Sequence, residues 1–445
     1  MRFLTPCLVF SQLVMLTGCG SSSDDTSSTY TSSYIQLYNG SANSANTRLI
    51  LTDSDDSSYL IGSASYTDAT SLVDYTPDTY QFTLSRLNSS GDDVSVLESE
   101  IELKQSYKHL LLLSDDYASP DLLHIAFLRD DSLTDNFKLY VANLLSADHS
   151  YDLYISNSEQ AFADATLVTT LSYQQISEPV EFALGNYKIY LTDAGSREPV
   201  FISPTYHFSY LTEYVLVPRL ASGPLRGNIA VDIIGNSTTV STLSDLDAVA
   251  QFRLYNSIDN LLNTQVMLNN ETLLTELSSD TFSDYVQLDA ADYRLTATDS
   301  SNAIVIKNAL LTLNQGESKA MVLYTNEYNA ASAIVVEESL LPQIYDFDIN
   351  VVNVIADYTA LSLYFVAPSQ TIDTTDLYIS SLKYAAQTAI SLPDGEYRVL
   401  LVHTDSNSNK TLLAETDFEQ FVTGSNYLLI AEPDENYSYK LSLLR

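Results

Sequence analysis

Apolar and polar residues alternate along many short stretches of this chain. From Tyr80 to Ser85 every second residue is apolar and the residues between them are polar, and residues 187–191 follow a similar pattern. A period of two is typical of a β-strand that buries one of its faces. No long stretch has the spacing of an amphipathic helix, so we expect an all-β protein.

Five strand-like segments recur in the same order four times along the chain. The first segment of each copy ends in an asparagine: Asn39, Asn143, Asn256 and Asn353. The third begins at a tyrosine just after a turn, and these tyrosines are 107, 106 and 104 residues apart: Tyr80, Tyr187, Tyr293 and Tyr397. Short strands bounded by turns, repeated at this interval, predict immunoglobulin-like β-sandwiches.

The repeats predict four tandem β-sandwich domains. We place them at 34–131, 135–236, 248–342 and 343–445 and name these ranges copies 1 to 4. A length of 445 residues agrees with several domains rather than one. A domain of about 100 residues has a radius of gyration of ~13 Å, so four independent domains in a file would reach on the order of 130 Å.

The N-terminal segment predicts export and lipid attachment. Phe3 to Leu16 is an apolar run with the length of the hydrophobic part of a signal peptide. Leu16-Thr17-Gly18-Cys19 resembles the lipobox of bacterial lipoproteins. The resemblance implies removal of residues 1–18 as a signal peptide and acylation of Cys19. The alternative is an ordinary secretory signal with a chance cysteine.

Residues 19–33 connect the lipid to the first copy. They are rich in serine and show no apolar period, which predicts a flexible tether. Gly20, directly after Cys19, resembles the sorting signal of outer-membrane lipoproteins in a Gram-negative envelope. We therefore expect an outer-membrane lipoprotein of the cell envelope, on either its periplasmic or its external face.

The recurring tyrosines have two alternative roles. In immunoglobulin-like sandwiches a tyrosine after a turn can close a corner by donating its hydroxyl to a backbone group a few residues upstream. We interpret the four repeated tyrosines as such structural corner residues, and stacking on a ligand is the alternative. The repeated asparagines are interpreted as closing turns at strand ends.

Composition and charge narrow the classes of function. The chain has 57 acidic and 20 basic residues and a net charge of −37, which disfavours nucleic acid and anionic headgroups as partners. Cys7 lies in the signal and Cys19 is assigned to lipid, so no disulfide is expected. With only 13 glycines and 12 prolines, turns must rely on Asn, Asp and Ser.

Candidate catalytic and metal-binding residues are sparse. The five histidines show no ligand spacing, and Asp148 beside His149 lacks a nucleophile elbow, so we expect no enzyme activity and no cofactor. Calcium is the alternative, because two acidic clusters of copy 1 could supply oxygen ligands: Asp53, Asp55 and Asp56, and Asp115, Asp116 and Asp121.

Several motifs resemble a known family. An opening strand that ends in asparagine, YDLYIS, LPDGEYRVLLV and GSNYLLIAE together resemble the bacterial domain-of-unknown-function family 4397, over residues 34–445. The resemblance implies tandem β-sandwiches in a secreted protein or lipoprotein, with no assigned activity and no functional residues. The family's Ser-Pro-Asp-Ala-Pro loop is reduced here to Ser146-Ala147-Asp148.

These observations predict a non-enzymatic envelope lipoprotein that acts as a spacer or scaffold and contacts the membrane through its lipid. The alternative is an adhesion-type module that binds a glycan or an envelope protein, with or without calcium, through exposed tyrosines. Exposed tyrosines clustered in one copy would favour binding, and scattered ones would favour the spacer. Copy 2 is the first place to look, because it contains Tyr151, Tyr154, Tyr187 and Tyr190.

Overall fold

A computed structural model of the protein describes residues 32–445 apart from 89–90, 146–148, 222–228, 259–260, 262–263, 340, 342–343, 394 and 423–426. In this part of the chain the structure consists of β-strands, with a short 3-10 helix at Phe162–Asp164 and no α-helix. The prediction of an all-β sandwich fold is confirmed. Each of the five repeated segments is a strand in every copy.

The strands of the first two copies are numbered in chain order. Copy 1 contains Ser33–Asn39 (β1), Thr47–Thr52 (β2), Ser58–Ala64 (β3), Val73–Tyr75 (β4), Thr79–Leu87 (β5), Asp93–Glu102 (β6), Tyr107–Ser114 (β7) and Asp121–Leu128 (β8). Copy 2 contains Asn136–Val141 (β9), Tyr151–Asn157 (β10), Thr166–Leu171 (β11), Val180–Ala183 (β12), Gly185–Asp193 (β13), Pro199–Ile202 (β14), Tyr206–Phe208 (β15), Glu213–Leu220 (β16) and Ile229–Ile234 (β17), and Ser241–Ser244 (β18) follows it.

The last two copies continue the numbering. Copy 3 contains Ala250–Asn256 (β19), Gln265–Leu268 (β20), Glu271–Leu274 (β21), Val286–Leu288 (β22), Ala291–Thr298 (β23), Ile304–Leu313 (β24), Ser318–Thr325 (β25) and Ala331–Glu337 (β26). Copy 4 contains Asp346–Asn353 (β27), Ala360–Val366 (β28), Tyr378–Lys383 (β29), Ala386–Pro393 (β30), Gly395–Thr404 (β31), Lys410–Glu415 (β32), Glu419–Phe421 (β33), Tyr427–Asp434 (β34) and Ser438–Leu444 (β35).

Each copy forms two sheets. The sheet that contains the first strand, here the first-strand sheet, has the order β4-β1-β7-β8, β12-β9-β16-β17-β18, β22-β19-β25-β26 or β30-β27-β34-β35 in copies 1 to 4. The second-strand sheets are β3-β2-β5-β6, β11-β10-β13-β14 with β15 on β13, β21-β20-β23-β24, and β29-β28-β31-β32 with β33 on β31. The first strand of every copy runs parallel to one neighbour, as β1 does beside β7. The sequence analysis did not predict this parallel pairing.

The two sheets of each copy enclose an apolar core. In copy 1 alternate residues of β5, Tyr80, Phe82 and Leu84, are buried with Ile35 and Leu37 of β1. Equivalent clusters fill copies 2, 3 and 4. The period of two seen in the sequence therefore reports burial of one face against the opposite sheet.

The first-strand sheets are buried on both faces. In β7, Leu111 points into the core of copy 1, whereas Leu110 and Leu112 pack with Val215 and Val217 of copy 2. A similar apolar cluster joins the first-strand sheets of copies 3 and 4. A strand covered on both sides has a continuous apolar run rather than an alternating one, which explains the HLLLL segment. We name copies 1 and 2 the first pair, and copies 3 and 4 the second pair.

Aspartate and asparagine close several hairpins in place of glycine. In the β2–β3 hairpin Oδ1 of Asp53 accepts hydrogen bonds from the N–H groups of Asp55 and Ser57, both at 2.9 Å, and Asp56 has a φ of 59°. The same anchor, followed three residues later by a left-handed residue, recurs at Asp299 and Asn302, Asn326 and Asn329, and Asp405 and Ser408. These side chains stabilise the tight turns by accepting backbone hydrogen bonds, in a chain that has few glycines to place in turns.

Some contacts cross the predicted divisions between copies. Strand β18 lies between the predicted ranges of copies 2 and 3 and pairs with β17 of copy 2. Tyr345, at the start of copy 4, packs against Tyr117 of copy 1 with ring centroids 5.5 Å apart, and the Arg86 guanidinium lies 4.1 Å from its ring. The contacts group Ser32–Arg445 into one compact unit. Four independent domains in a row would not make these contacts. The domain boundaries remain predictions.

Candidate functional site

The four repeated tyrosines occupy equivalent positions at the start of β5, β13, β23 and β31. Each hydroxyl donates to the carbonyl oxygen four residues upstream: Tyr80 to Thr76 at 3.1 Å, Tyr187 to Ala183 at 2.8 Å, Tyr293 to Asp289 at 2.7 Å, and Tyr397 to Pro393 at 3.0 Å. Burial raises the pKa of Tyr80, Tyr187 and Tyr293 above the ordinary value. This is the corner geometry of immunoglobulin-like sandwiches.

The four repeated asparagines are buried at the ends of the first strands. Each Oδ1 accepts from the N–H two residues on, and each Nδ2 donates to a backbone carbonyl; for Asn353 these bonds are 2.9 Å from Ile355 and 3.3 Å to Leu382. Asn39, Asn143 and Asn256 make the corresponding bonds. Both halves of the amide are satisfied, so these residues fasten the strand end to the adjacent loop.

The tyrosines of copy 2 do not form an exposed aromatic surface. Tyr154 and Tyr190 are only 5% and 4% exposed, because Phe162 of the short helix covers them at centroid distances of 5.3 and 5.1 Å. Tyr151 packs against the core of copy 2, and Tyr187 closes the corner. The large exposed aromatic side chains are instead scattered over the four copies: Tyr59, Tyr210, Tyr285, Tyr328, Tyr378, Phe418 and Tyr437.

Four of the six carboxylates in the acidic clusters of copy 1 accept hydrogen bonds from neighbouring donors, those of Asp53, Asp115, Asp116 and Asp121. Asp116 accepts from the N–H of Ala118 and from Asn43, and these bonds lower its pKa. Asp115 accepts from the hydroxyl of Tyr173, and Asp121 from Gln174 at 2.8 Å. Among the described residues no group of three or more His, Cys, Asp or Glu is placed to hold a metal ion.

Two histidines of the first-strand sheet of copy 1 form a hydrogen-bonded pair. The N–H of Lys104 donates to Nε2 of His109 at 3.0 Å, so Nδ1 of His109 carries the proton and donates to Nε2 of His124 at 3.0 Å. Burial, His124 and Lys104 lower the pKa of His109 to about 4. The pair is therefore neutral at pH 7. His149 lies beside 146–148, which are outside the described residues.

A buried ionic cluster joins the two copies of the first pair. The hydroxyl of Tyr38 donates to Oδ2 of Asp232 at 2.5 Å, and Arg219 donates to both carboxylate oxygens, at 2.6 and 3.1 Å. Thr242 of β18 donates to the same carboxylate at 2.6 Å. Burial and Asp232 raise the pKa of Tyr38, and although burial opposes the charge of Arg219, Asp232 raises its pKa. We name this group the first lock.

The second pair contains a corresponding cluster, the second lock. Tyr255, which precedes the repeated asparagine as Tyr38 does, donates to Oε1 of Glu432 at 2.9 Å. Glu432 also accepts from Ser442, and Lys440 lies 3.8 Å from it and bonds Asp280 at 2.8 Å. Burial raises the pKa of both Tyr255 and Glu432. In both pairs a tyrosine of the odd copy thus donates to a carboxylate of the even copy, although Asp232 and Glu432 come from different strands.

A buried lysine also crosses the first pair. Nζ of Lys108 in copy 1 donates to the carbonyl oxygen of Gly235 at 3.1 Å and to Oδ1 of Asn236 at 3.0 Å in copy 2. Burial lowers the pKa of Lys108 to about 7, while Glu213 acts in the opposite direction. Asn236 in turn donates to Oγ1 of Thr212 at 2.8 Å.

The acceptors Gly235 and Asn236, together with Thr212, line a cleft of about 600 Å³ at the junction of copies 1 and 2. Three segments line it: 129–131 between the copies, 206–214 around the β15–β16 loop, and 233–241 around the β17–β18 turn. Its volume lies in the range of small-molecule sites. This cleft and both locks were not predicted from the sequence, because each depends on which faces of distant strands meet.

No helix of the described residues is long and apolar enough to cross a membrane. Cys19, the predicted lipidation site, and the predicted signal and tether up to residue 31 lie outside the described residues, as does the reduced loop at 146–148.

Comparison with known proteins gives little further information. No family model and no curated protein matches the chain. Among solved structures, the chain is similar to a candidate adhesin from Bacteroides ovatus, with 11% identity and a TM-score of 0.16, covering 48% of this chain and 95% of that one. A candidate cell adhesion protein from Bacteroides fragilis has 11% identity and a TM-score of 0.13, covering 68% and 85%. At these TM-scores the similarities carry no argument about function.

Proposed function

We propose that the protein is a non-enzymatic scaffold of the cell envelope, anchored by lipid on Cys19. The pairing of the copies carries this proposal. Within each pair the first-strand sheets bury an apolar cluster between them, and a tyrosine–carboxylate lock lies inside that interface. A large apolar interface with directional buried bonds restrains the relative motion of two domains. A scaffold must keep its domains in a fixed orientation relative to each other. A chain of freely jointed spacer domains does not do this.

The distribution of aromatic side chains supports a scaffold over the adhesion-type alternative. An adhesion module that grips its partner over an extended aromatic surface needs several exposed rings close together, whereas the large exposed rings of the described residues are spread over all four copies. The tyrosines of copy 2 that were the leading candidates are covered or belong to the core and corner. The scaffold would hold a protein or glycan partner of the envelope rather than nucleic acid, since the chain carries a net charge of −37.

The engagement of the acidic clusters supports function without a cofactor. Asp53, Asp116 and Asp121 already accept hydrogen bonds from their own loops or from copy 2. A calcium ion would compete with these donors for the carboxylate oxygens. Calorimetry in chelator and in excess calcium should therefore give the same melting midpoint, and a rise with calcium would revive the calcium-assisted alternative.

The restraint within a pair can be tested with spin labels. We would replace Cys7 and Cys19 by serine. Cysteines for the labels would then be introduced at the exposed positions Ser99 and Thr166, in the second-strand sheets of copies 1 and 2. Electron–electron double resonance should give one narrow distance distribution. Tyr38→Ala, which removes a ring from the interface, should broaden it. A broad distribution in both proteins would contradict a rigid pair.

A pull-down with glycans and envelope extract separates the two functions. A scaffold should keep its partners when single scattered aromatic residues, such as Tyr59 or Tyr378, are changed to alanine. Loss of all binding after one of these substitutions would favour the adhesion-type module instead.

A further inference from the structure

We propose that the cleft at the junction of copies 1 and 2 binds a neutral saccharide. This goes beyond the scaffold function, which requires no ligand in the cleft. The cleft combines two features that sugar recognition needs, namely exposed aromatic surface for the C–H faces of a ring and fixed polar groups for its hydroxyls.

The aromatic surface is provided by the β15–β16 loop. Tyr210 is 72% exposed and Leu211 is 49% exposed, and both line the cleft. Tyr206 is half-buried, with its hydroxyl 3.4 Å from Oγ of Ser241. The backbone N–H of Tyr210 donates to the hydroxyl of Tyr214 at 3.3 Å, which fixes the loop that carries the exposed ring.

The polar groups line the same cleft as the aromatic loop, and Asp130 is held in place by neighbouring donors. Oδ2 of Asp130 accepts from Lys138 at 2.5 Å and its Oδ1 accepts from Ser132 at 2.6 Å; these bonds lower the pKa of Asp130, so it stays ionised. Asp131 accepts from Nε of Arg129 at 2.8 Å. Carboxylate oxygens have several lone-pair positions, so both can still accept from sugar hydroxyls. Fixed acceptors reduce the entropy lost on binding.

The charges favour a neutral ligand. Asp130 is paired with Lys138, and Asp131 with Arg129, so neither carboxylate offers an unmatched charge to a basic peptide. Buried Glu213 accepts from the N–H of Asp130 at 2.5 Å. An anionic ligand is disfavoured by the net charge of −37 on the chain.

Both copies of the first pair contribute lining residues to the cleft. Residues 129–131 belong to the end of copy 1, and the remaining lining belongs to copy 2 and the turn that follows it. The bonds from Lys108 to Gly235 and Asn236 fix the two sides to each other. A saccharide in the cleft would therefore contact residues of both copies.

The test is titration of the full chain, purified in a detergent without a sugar headgroup, with two neutral disaccharides, chitobiose and cellobiose. We expect saturable binding of at least one by calorimetry, with no comparable binding of a glucuronate-containing disaccharide. Tyr210→Ala should weaken that binding by about tenfold. The control is Tyr437→Ala, which removes an equally exposed tyrosine from the β34–β35 turn and should leave binding unchanged.

Three results would overturn the proposal. These are a failure of both neutral disaccharides to saturate the protein at millimolar concentration, equal binding by the two tyrosine variants, and preferential binding of a trilysine peptide in the cleft. Both substitutions are at exposed side chains, so both variants should fold. Melting curves of the variants check this. Failure of the titration leaves the spin-label test of the scaffold unaffected.

Discussion

The hydroxyl of Tyr38 in copy 1 donates to the carboxylate of Asp232 in copy 2, 194 positions further along the chain, at 2.5 Å. Asp232 is fully buried, and Arg219 supplies the matching charge at 2.6 Å. Burying the carboxylate of Asp232 is costly unless Arg219 and Tyr38 are both present, so the interface of the first pair depends on all three residues.

Removing the cation should cost more than removing the tyrosine hydroxyl. We expect Arg219→Met to lower the free energy of unfolding by about 3–5 kcal/mol, because it leaves a buried carboxylate without its ion pair. Tyr38→Phe removes one hydrogen bond to that carboxylate and should cost about 1–3 kcal/mol. Urea unfolding measures both, with the exposed Tyr437→Phe as the control. An Arg219→Met variant as stable as Tyr38→Phe would contradict this account.

The pair, rather than the single copy, should be the smallest fragment that is both stably folded and monomeric. Residues 32–247 keep the shared cluster and β18 and should unfold cooperatively as a monomer. Residues 32–131 alone would expose Leu110, Leu112 and Phe127 to water and should self-associate. Analytical ultracentrifugation of the two fragments distinguishes them. A monomeric, stable single copy would show that the interface is dispensable.

The histidine pair should make stability depend on pH below neutrality. The pKa of His109 falls from its ordinary 6.5 to about 4 in the folded state, so the unfolded chain binds the proton first. The contribution of His109 to stability is complete above pH 6.5 and is lost as the pH falls towards 4, by up to about 3 kcal/mol. His109→Gln should flatten this slope, whereas His207→Gln, at an exposed histidine, should not. Equal slopes in all three proteins would rule out the pair as the cause.

The corner tyrosines should contribute through their hydroxyl groups. Tyr187→Phe removes the 2.8 Å bond to the carbonyl of Ala183 while keeping the ring, so we expect a loss of about 1 kcal/mol. Tyr437→Phe, at an 80% exposed residue outside the corners, is the control. If the two substitutions have the same effect on the melting temperature, the corner bond is not stabilising.

Lipid attachment should depend on Cys19. Cys19→Ala removes the thiol that the lipobox assigns to acylation, so the variant should leave the detergent phase in phase separation and appear in the aqueous phase. Cys7→Ala, within the predicted signal, should partition as the wild type does. An unchanged detergent-phase fraction for Cys19→Ala would refute lipidation at this residue.

The sequence predicts the strands better than it predicts their partners. Period-two alternation at 80–85 and the turn before Tyr80 are local features, and the structure has a strand and a hydroxyl–carbonyl bond there. The run HLLLL in β7 carried a signal that was missed, because unbroken apolar residues indicate burial on both faces. Asp232 within IAVDII was a second signal, since a charge in an apolar strand needs a buried partner. That the partners are Arg219 and Tyr38 depends on register and on the packing of two sheets, which no local pattern encodes.

In each pair the first-strand sheets of the two copies cover each other. Once two copies have paired, neither of these apolar sheet faces is left free to pack against a third copy. Adding one further copy to such a chain would leave an apolar face without cover and promote association between molecules. Adding two would cover both faces. The length of a protein built in this way is therefore expected to change by even numbers of copies.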